Sequence, residues 1–304
     1  MKIPIFTDDP GWHGARLKEA FANHGIDAVF VSLQDCIINL YGSKPNSASP
    51  TIQIPHFDTL PPAVFVRGIS GGTMQQVTTR LNVLHILSML NVKIYNDVKA
   101  IERTVDKAMT SFLLQKNGVS TPATWVSESR TQVEQLRQIA KQQNQTLVLK
   151  PLFGSQGLGV RKLLADQVLP VPMQQFVDGV YYFQQLIETA NAPHDYRVFV
   201  IAGKVVAAMK RVGSSWVNNV AAGGRCESVN LDANQTLISL ALQAAAAVDI
   251  NYCGVDIIQA NTGEYFVLEV NSIPAWKGLQ SVAQVDISAL LVNDFLKNVR
   301  LDIQ

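Results

Sequence analysis

The chain has 304 residues, 25 Lys plus Arg against 24 Asp plus Glu, a formal net charge of +1, 47 % AVILMFWYC and 16 % charged residues. That balance supplies apolar surface for a sizeable core, excludes a disordered tail or disulfide mini-scaffold, and leaves no global field to attract nucleic acid or an anionic membrane. The length fits roughly two domains of about 100–200 residues each, and three widely spaced cysteines, Cys36, Cys226 and Cys253, form neither a disulfide framework nor a zinc pair and point to a reducing compartment.

Met1 to Pro10 carries Lys2, Asp8 and Asp9 around a short apolar run, unlike a secretory signal. No run approaches the roughly 20 apolar residues that span a bilayer, so a cytoplasmic protein is expected. A strand at Ile3–Thr7, an amphipathic helix near Gly14–His24 and a strand at Ala28–Leu33 alternate as in a parallel α/β sheet. Tyr41 to Pro62 is rich in Gly, Ser, Asn and Pro and reads as an irregular connection. Ala63–Val66 resumes as a strand, and Gly71-Gly72 precedes a helix whose inward face is expected to be Val77, Leu81, Leu84 and Ser88.

A second unit begins near Asn96, with Val105, Ala108, Met109, Phe112 and Leu113 at helical spacing. Thr131 and Glu134 read as a capping box opening a helix that turns Val133, Leu136, Ile139 and Ala140 inward. A strand at Thr146–Leu149 ends at Lys150. Phe199–Lys210, broken at Ala202-Gly203-Lys204, predicts a hairpin. A helix over Asn234–Val248 precedes a second hairpin, Cys253–Ala260 and Tyr265–Val270 about an Asn261-Thr262-Gly263 turn.

Three groups carry chemistry. After the strand ending at Lys150 come Gly154, Ser155, Gln156, Gly157 and Gly159, where glycines let backbone amides approach an anion and Lys150 adds a point charge. The spacing is neither a Walker loop nor a dinucleotide fingerprint, and taken alone the stretch is equally a turn between strands. In the C-terminal hairpin Glu269 and Asn271 lie two apart and share a face, and the short turn sets Asp256 across from Glu269. Three oxygen ligands would suit Mg²⁺, because carboxylates in apolar strands are costly to bury without a cation or hydrogen-bond partner; a solvated sheet face is the alternative. The third group is basic: Lys107, Arg197, Lys210 and Arg211, with Asp195 two residues before Arg197. Each alone is as readily an ordinary surface ion pair. His13, His24, His56, His85 and His194 show no metal-ligand spacing, and no Gly-x-Ser-x-Gly elbow is present.

Taken in order, Asp106-Lys107, Lys150 with its glycine loop, Gln184-Gln185-Leu186-Ile187, Asp195-Tyr-Arg197, Gly254-Val-Asp256 and Glu269-Val-Asn271 resemble the ATP-grasp superfamily, and within it the RimK-like glutamate ligases. The likeness runs from about Asp97 onward. It implies a mixed α/β ATP-grasp fold: an N-terminal pre-ATP-grasp domain over 1–95, a central lobe over 96–187 and a C-terminal lobe over 188–304.

The resemblance further implies that Lys107 and Lys150 contact ATP, that the Gly154–Gly159 loop closes over the phosphates, and that Gln185, Leu186 and Ile187 read adenine. Asp195 would hold the ribose, Arg197 and Arg211 would neutralise phosphate charge, and Asn219 would lie near the acyl acceptor. Asp256, Glu269 and Asn271 would bind Mg²⁺, two ions, with Mn²⁺ as a substitute. The activity implied is ligation of a small-molecule carboxylate, activated as an acyl phosphate, to an amine, with release of ADP and phosphate. Neither nucleic acid nor membrane is expected as a partner, and the sequence is compatible with a homo-oligomer without specifying one. The amine is an amino acid such as glutamate or a precursor of a pterin or methanofuran-type carrier. This chain departs from the family at Gln185-Leu186 (usually Glu-Tyr), at Val217-Asn218-Asn219 (usually Arg-Ser-Asn) and at Pro274-Ala275 (usually Pro-Gly). The alternative is a nucleotide-binding regulatory or scaffold protein that kept the fold.

Overall fold

The computed structural model describes residues 1–40, 51–154, 157–164, 179–190, 192–213, 216 and 224–299. The chain begins with β1 (Lys2–Phe6), α1 (Gly11–Ala22), β2 (Asp27–Val31), β3 (Ile37–Ile38), β4 (Ile52–Gln53), β5 (Ala63–Val66), α2 (Met74–Met89) and β6 (Lys93–Tyr95). Four of these strands form an all-parallel sheet in the order β2-β1-β5-β6, as the alternation of strand and helix predicts. The order reverses direction between β1 and β5, so the loops leaving their carboxyl ends diverge and open a crevice there. The β5 loop is pinned at its start, where the N–H groups of Arg67 and Gly68 both donate to Phe6 O, at 2.8 and 3.0 Å.

Helix α2 starts at a capping box of Thr73 and Gln76 and buries Arg80, Val83, Leu84 and Leu87. Of the expected face only Leu84 is buried, because the helix is rotated against the sheet so that Arg80 can donate to the carbonyls of Ser70 and Gly71, at 2.6 and 3.0 Å.

Next come α3 (Val98–Val105), α4 (Lys107–Lys116), β7 (Thr124–Ser127), α5 (Arg130–Gln142), β8 (Leu147–Lys150), β9 (Arg161–Leu163) and β10 (Tyr181–Gln185). The strands form an antiparallel sheet in the order β7-β10-β8-β9. Two sequence expectations are corrected here. The periodic stretch around Val105 is two helices, since Asp106 interrupts it and caps α4 by accepting from the N–H groups of Ala108 and Met109 at 2.8 and 3.1 Å. The break turns Val105, Met109 and Phe112 outward, 45 %, 44 % and 56 % exposed, and buries Thr110, Ser111 and Leu114 instead. Helix α5 is capped by Ser129, two residues earlier than the Thr131–Glu134 pattern suggests; Val133 and Ala140 are buried, Leu136 half-buried and Ile139 exposed.

The last section is β11 (His194–Ile201), β12 (Lys204–Val212), β13 (Arg225–Ser228), α6 (Gln235–Ala247), β14 (Tyr252–Gln259), β15 (Tyr265–Asn271), α7 (Lys277–Gln280) and α8 (Ile287–Asn298). Its antiparallel sheet runs β13-β12-β11-β14-β15. Both expected hairpins are present, and Asp256 pairs in register with Glu269, with a bulge immediately after Asp256. One face of this sheet packs on α6 through Val198, Val200, Val255 and Leu240. The opposite face, with Phe199 and Ile201, shares a core with the N-terminal sheet and α8, where Phe21, Phe65, Tyr95, Tyr252 and Phe295 meet ring on ring. Cys36, Cys226 and Cys253 are all free thiols. No helix among the described residues is long and apolar enough to cross a membrane.

Candidate active site

A cleft of about 750 Å³ lies where the antiparallel sheets face each other. Strand β8 delivers Lys150 to it, and the chain then turns through Gly154, Gly157 and Gly159, all at positive φ (139°, 70° and 74°). These conformations belong to glycine. A Cβ on Gly159 would lie 2.8 Å from Pro151 Cγ, so the loop also folds back tightly on its own start. Lys107, the first residue of α4, ties this loop down by donating to the carbonyls of Leu152 and Gly154 at 3.1 and 2.9 Å. Lys150 donates to Gln184 Oε1, and Gln184 Nε2 in turn donates to Thr124 Oγ1 at 3.2 Å.

Both lysines are therefore solvated by neutral oxygens rather than by carboxylates. Burial pulls Lys150 down to about 8, with Glu269 opposing, and lowers Lys107 for the same reason. A buried cation whose close partners are neutral is suited to an incoming anion. At the end of β10 and just past it, Gln185, Leu186 and Ile187 form one wall. The N–H groups of Gln185 and Leu186 are already committed to the carbonyls of Ala123 and Thr146, at 2.9 and 2.8 Å.

The other wall is the final sheet. Alternation along each strand sends Asp195 and Arg197 of β11, Arg211 of β12, Asp256 of β14, and Glu269 and Asn271 of β15 into the cleft. Lys210 belongs to the other face, with its ammonium 6.0 Å from the centre of the Tyr196 ring.

Asp195 and Arg197 share a face as the spacing requires, but each finds its ionic partner across a strand boundary. Arg197 Nε and Nη2 donate to Asp256 Oδ1 and Oδ2, both at 2.7 Å. Arg211 Nε donates to Asp195 Oδ1 at 2.9 Å, its Nη2 pairs with Asp195 Oδ2, and Nη2 lies 2.9 Å from Asp256 Oδ2. The physical reason is distance: residues two apart on a strand are separated by nearly 7 Å, whereas cross-strand neighbours approach to about 5 Å. Burial alone would raise the Asp256 carboxyl, but the two guanidiniums override it and hold the group well below the ordinary carboxylate range. Asp195, with one guanidinium and Asp256 close by, is pushed up by burial to about 6.

No guanidinium among the described residues pairs with Glu269; its Oε1 accepts from Asn271 Nδ2 at 3.0 Å. Asn271 Oδ1 and the rest of the Glu269 carboxylate are thus the least committed oxygens of the set. Among the described residues no group of three His, Cys, Asp or Glu is placed to hold a metal, so any cation here depends on the two acids together with the Asn271 amide. Gly254 permits the close return of the chain after β15, since a Cβ there would lie 2.9 Å from Pro274 Cβ. Ser155, Gln156 and Asn219 lie outside the described residues, as do Val217 and Asn218. The lining of the cleft includes Lys107, Lys150, Gly154, Gly157, Gln185, Leu186, Ile187, Asp195, Arg197, Arg211, Asp256, Glu269 and Asn271; Gly159 acts one step behind it.

A family model described as a RimK-like ATP-grasp domain matches residues 104–295, most of the chain and all of this cleft except its N-terminal side. The chain belongs to the RimK-like ATP-grasp family. It is similar to the tetrahydromethanopterin:alpha-L-glutamate ligase of Methanococcus maripaludis, 29 % identical over 301 residues that cover 97 % of this chain and 98 % of that one. The ligase of the same name from Methanocaldococcus jannaschii is 35 % identical over 226 residues, 71 % of this chain and 75 % of that one. In fold it is similar to the ATP-grasp ligase PsnB complexed with minimal precursor, Mg and ADP, with a TM-score of 0.70, 21 % identity and 98 % of each chain covered. As a RimK-like ATP-grasp protein it is an ATP-dependent, ADP-forming carboxylate–amine ligase of a family that uses ATP and Mg²⁺.

Two contributors to this cleft have no role assigned from sequence. Gln184 stands in the Gln184–Ile187 stretch of the resemblance without a role of its own and is the direct partner of Lys150, set opposite Val148 by strand pairing. Arg67 enters from the N-terminal sheet, and its only signal is its place immediately after a parallel strand.

Proposed function

We propose that the cleft binds ATP with its phosphates between the glycine loop and the β14–β15 hairpin, and that a carboxylate is phosphorylated there and passed to an amine. The observation that supports this reading is the meeting, in one cleft, of Lys150, Gly154 and Gly157 with Asp256, Glu269 and Asn271, which lie about 100 positions or more further along the chain. In this reading residues 1–95, 96–187 and 188–304 act as three lobes around the site.

Lys107 and Lys150 take phosphate oxygens, and the N–H groups of the glycine loop add to them. Adenine lies against Gln185, Leu186 and Ile187, read by those backbone groups of the stretch that Ala123 and Thr146 leave uncommitted, and Asp195 faces the ribose. Arg197 and Arg211 are held rigid by Asp256 and Asp195, so their remaining N–H groups stabilise negative charge on the transferred phosphoryl without reorganising. Asp256, Glu269 and Asn271 suit Mg²⁺, as one or two ions, because they offer only oxygen and leave positions for phosphate. Bound there, Mg²⁺ offsets charge on the phosphates. Gly154, Gly157 and Gly159 give the loop room to close and keep water from the acyl phosphate.

For substrates we propose glutamate as the amine and a carboxylate on a pterin-type or related carrier as the acid, the classes carried in the names of the methanogen relatives. The test is a Mg²⁺·ATP assay with L-glutamate and a panel of carrier carboxylates, scoring nucleotide products. ADP and phosphate formed only when acid and amine are both present are the expected result. AMP with pyrophosphate overturns the acyl-phosphate route, and nucleotide binding without product from any pair returns the chain to a regulatory role.

A further inference from the structure

Three arginines line the cleft among the described residues, and two of them are spoken for: Arg197 and Arg211 hold Asp256 and Asp195. The third, Arg67, differs. No carboxylate among the described residues comes within ion-pair distance of it, and its buried Nε has no hydrogen-bond partner. Asp9 acts on it only through space, and burial lowers its proton affinity. A guanidinium removed from water without a counter-ion is unfavourable in the free protein, a cost that a bound anion relieves.

Its surroundings are built rather than incidental. The Arg67 N–H is fixed to Phe6 O, at the point where the parallel sheet reverses strand order and the loops part. The guanidinium lies 5.1 Å from the centre of the Trp276 ring, and Trp276 is fully buried. Trp276 is held in turn by His13, whose ring sits edge-on at 4.6 Å and whose Nε2 accepts the N–H groups of Trp276 and Lys277 at 3.0 and 3.2 Å. Accepting both requires Nε2 to be unprotonated, and burial together with Arg67 and Lys277 lowers His13 to about 4. Arg67 therefore lies over the Trp276 ring, is anchored at its backbone, and lines the cleft with a fork of donors that no side chain among the described residues occupies.

The fork comes from the end of a strand of the N-terminal sheet, whereas every candidate nucleotide contact comes from residue 107 onward. Its ligand is accordingly a group on a substrate other than ATP. The planar, two-pronged donor matches a carboxylate. Activation moves the charge of the reacting carboxylate onto the phosphoryl oxygens of the acyl phosphate, which the nucleotide contacts serve, whereas a fixed cation outside that set best serves a carboxylate that keeps its charge on its own oxygens from binding to release. An amino acid acting as the amine carries such a charge. We propose that Arg67 is a specificity-determining residue that receives a spectator carboxylate of the amine substrate and so restricts this ligase to amino acids. The inference rests on the ligase reading above and names what that site accepts.

The experiment is calorimetric titration of the full chain saturated with Mg²⁺·AMPPNP, using the twenty amino acids and their α-carboxamides; Asn and Gln report on side-chain carboxylates. Wild-type protein is expected to bind at least one amino acid about 30-fold more tightly than its amide, as expected for a charge-assisted pair of about 2 kcal/mol. Arg67→Gln should bind acid and amide alike, and Arg67→Lys, which keeps the charge and loses the fork, should fall between. The Mg²⁺·AMPPNP dissociation constant should stay within about twofold in all three, which also shows that the variants fold. An Arg67→Gln protein that keeps the preference overturns the proposal, as does a wild type that binds Mg²⁺·AMPPNP but no amino acid. Failure of wild type to bind Mg²⁺·AMPPNP removes the nucleotide reading itself, and the proposal with it.

Discussion

Arg197 and Asp256 face each other across β11 and β14 as a two-pronged pair, Nε on Oδ1 and Nη2 on Oδ2, both at 2.7 Å. Arg211 approaches the same Oδ2 from the next strand at 2.9 Å. One buried carboxylate thus neutralises parts of two guanidiniums, so Asp256 has a structural task apart from any metal. Asp256→Asn should leave Arg197 without its carboxylate and Arg211 with Asp195 alone, and destabilise the fold by about 3–5 kcal/mol. Urea denaturation monitored by circular dichroism measures it; an unchanged midpoint contradicts the role assigned to the pair.

Glu269 makes the opposite prediction. It is half-buried, its described hydrogen-bond partner is the Asn271 amide, and no arginine among the described residues pairs with it. Glu269→Gln should retain that bond and the melting temperature to within about 3 °C, while lowering turnover by about 10²-fold or more through weakened Mg²⁺ binding. Turnover close to wild type at limiting Mg²⁺ removes Glu269 from the ligand set.

Lys150 predicts a pH dependence. With burial holding it at about 8, the free protein carries this charge at pH 7 and loses it as the pH rises through 8. Since the cation is what attracts phosphate, kcat/KM for ATP should fall from pH 7 to pH 9 with an apparent midpoint near 8. Lys150→Arg should be flat over the same interval, because an arginine stays charged. The stability effect has the reverse sign: a lysine whose value is depressed on folding penalises the fold where it is charged, and the penalty lifts as pH rises toward the unfolded value.

Gly159→Ala tests the loop. The residue combines a φ of 74° with a Cβ position 2.8 Å from a ring carbon of Pro151, and a proline ring cannot swing aside. Relief requires the loop to open, so nucleotide affinity should drop about tenfold, the equivalent of roughly 1–2 kcal/mol of backbone strain, with the thermal midpoint little changed. Gly118→Ala, also at positive φ but with nothing within 4 Å and remote from the cleft, is the control.

How much of this was legible beforehand varies with the physics that fixes each part. The hairpin register that opposes Asp256 to Glu269 follows from a short turn and strict alternation, both local, and it is present with only the bulge after Asp256 unforeseen. The glycine loop and Lys150 are likewise readable from neighbours in sequence. The face of α4 is not, because one aspartate restarts the helix and rephases everything after it; periodicity counted through Asp106 puts Phe112 inside when it is 56 % exposed. The crossed pairing of Asp195 with Arg211 and Arg197 with Asp256 needs strand order, which no window of sequence contains. Arg67 needs even more, the docking of one sheet against the end of another.

That docking has a consequence during synthesis. Phe65 of the first sheet is covered by Phe295 of α8, and some 230 positions separate them. At ribosomal rates of about 5–20 residues per second, the early strands emerge and wait on the order of ten seconds or longer before their cover exists. For that interval a nascent chain displays an aromatic surface that the finished protein hides, which makes the first hundred residues a natural client for chaperones and a poor candidate for expression by themselves.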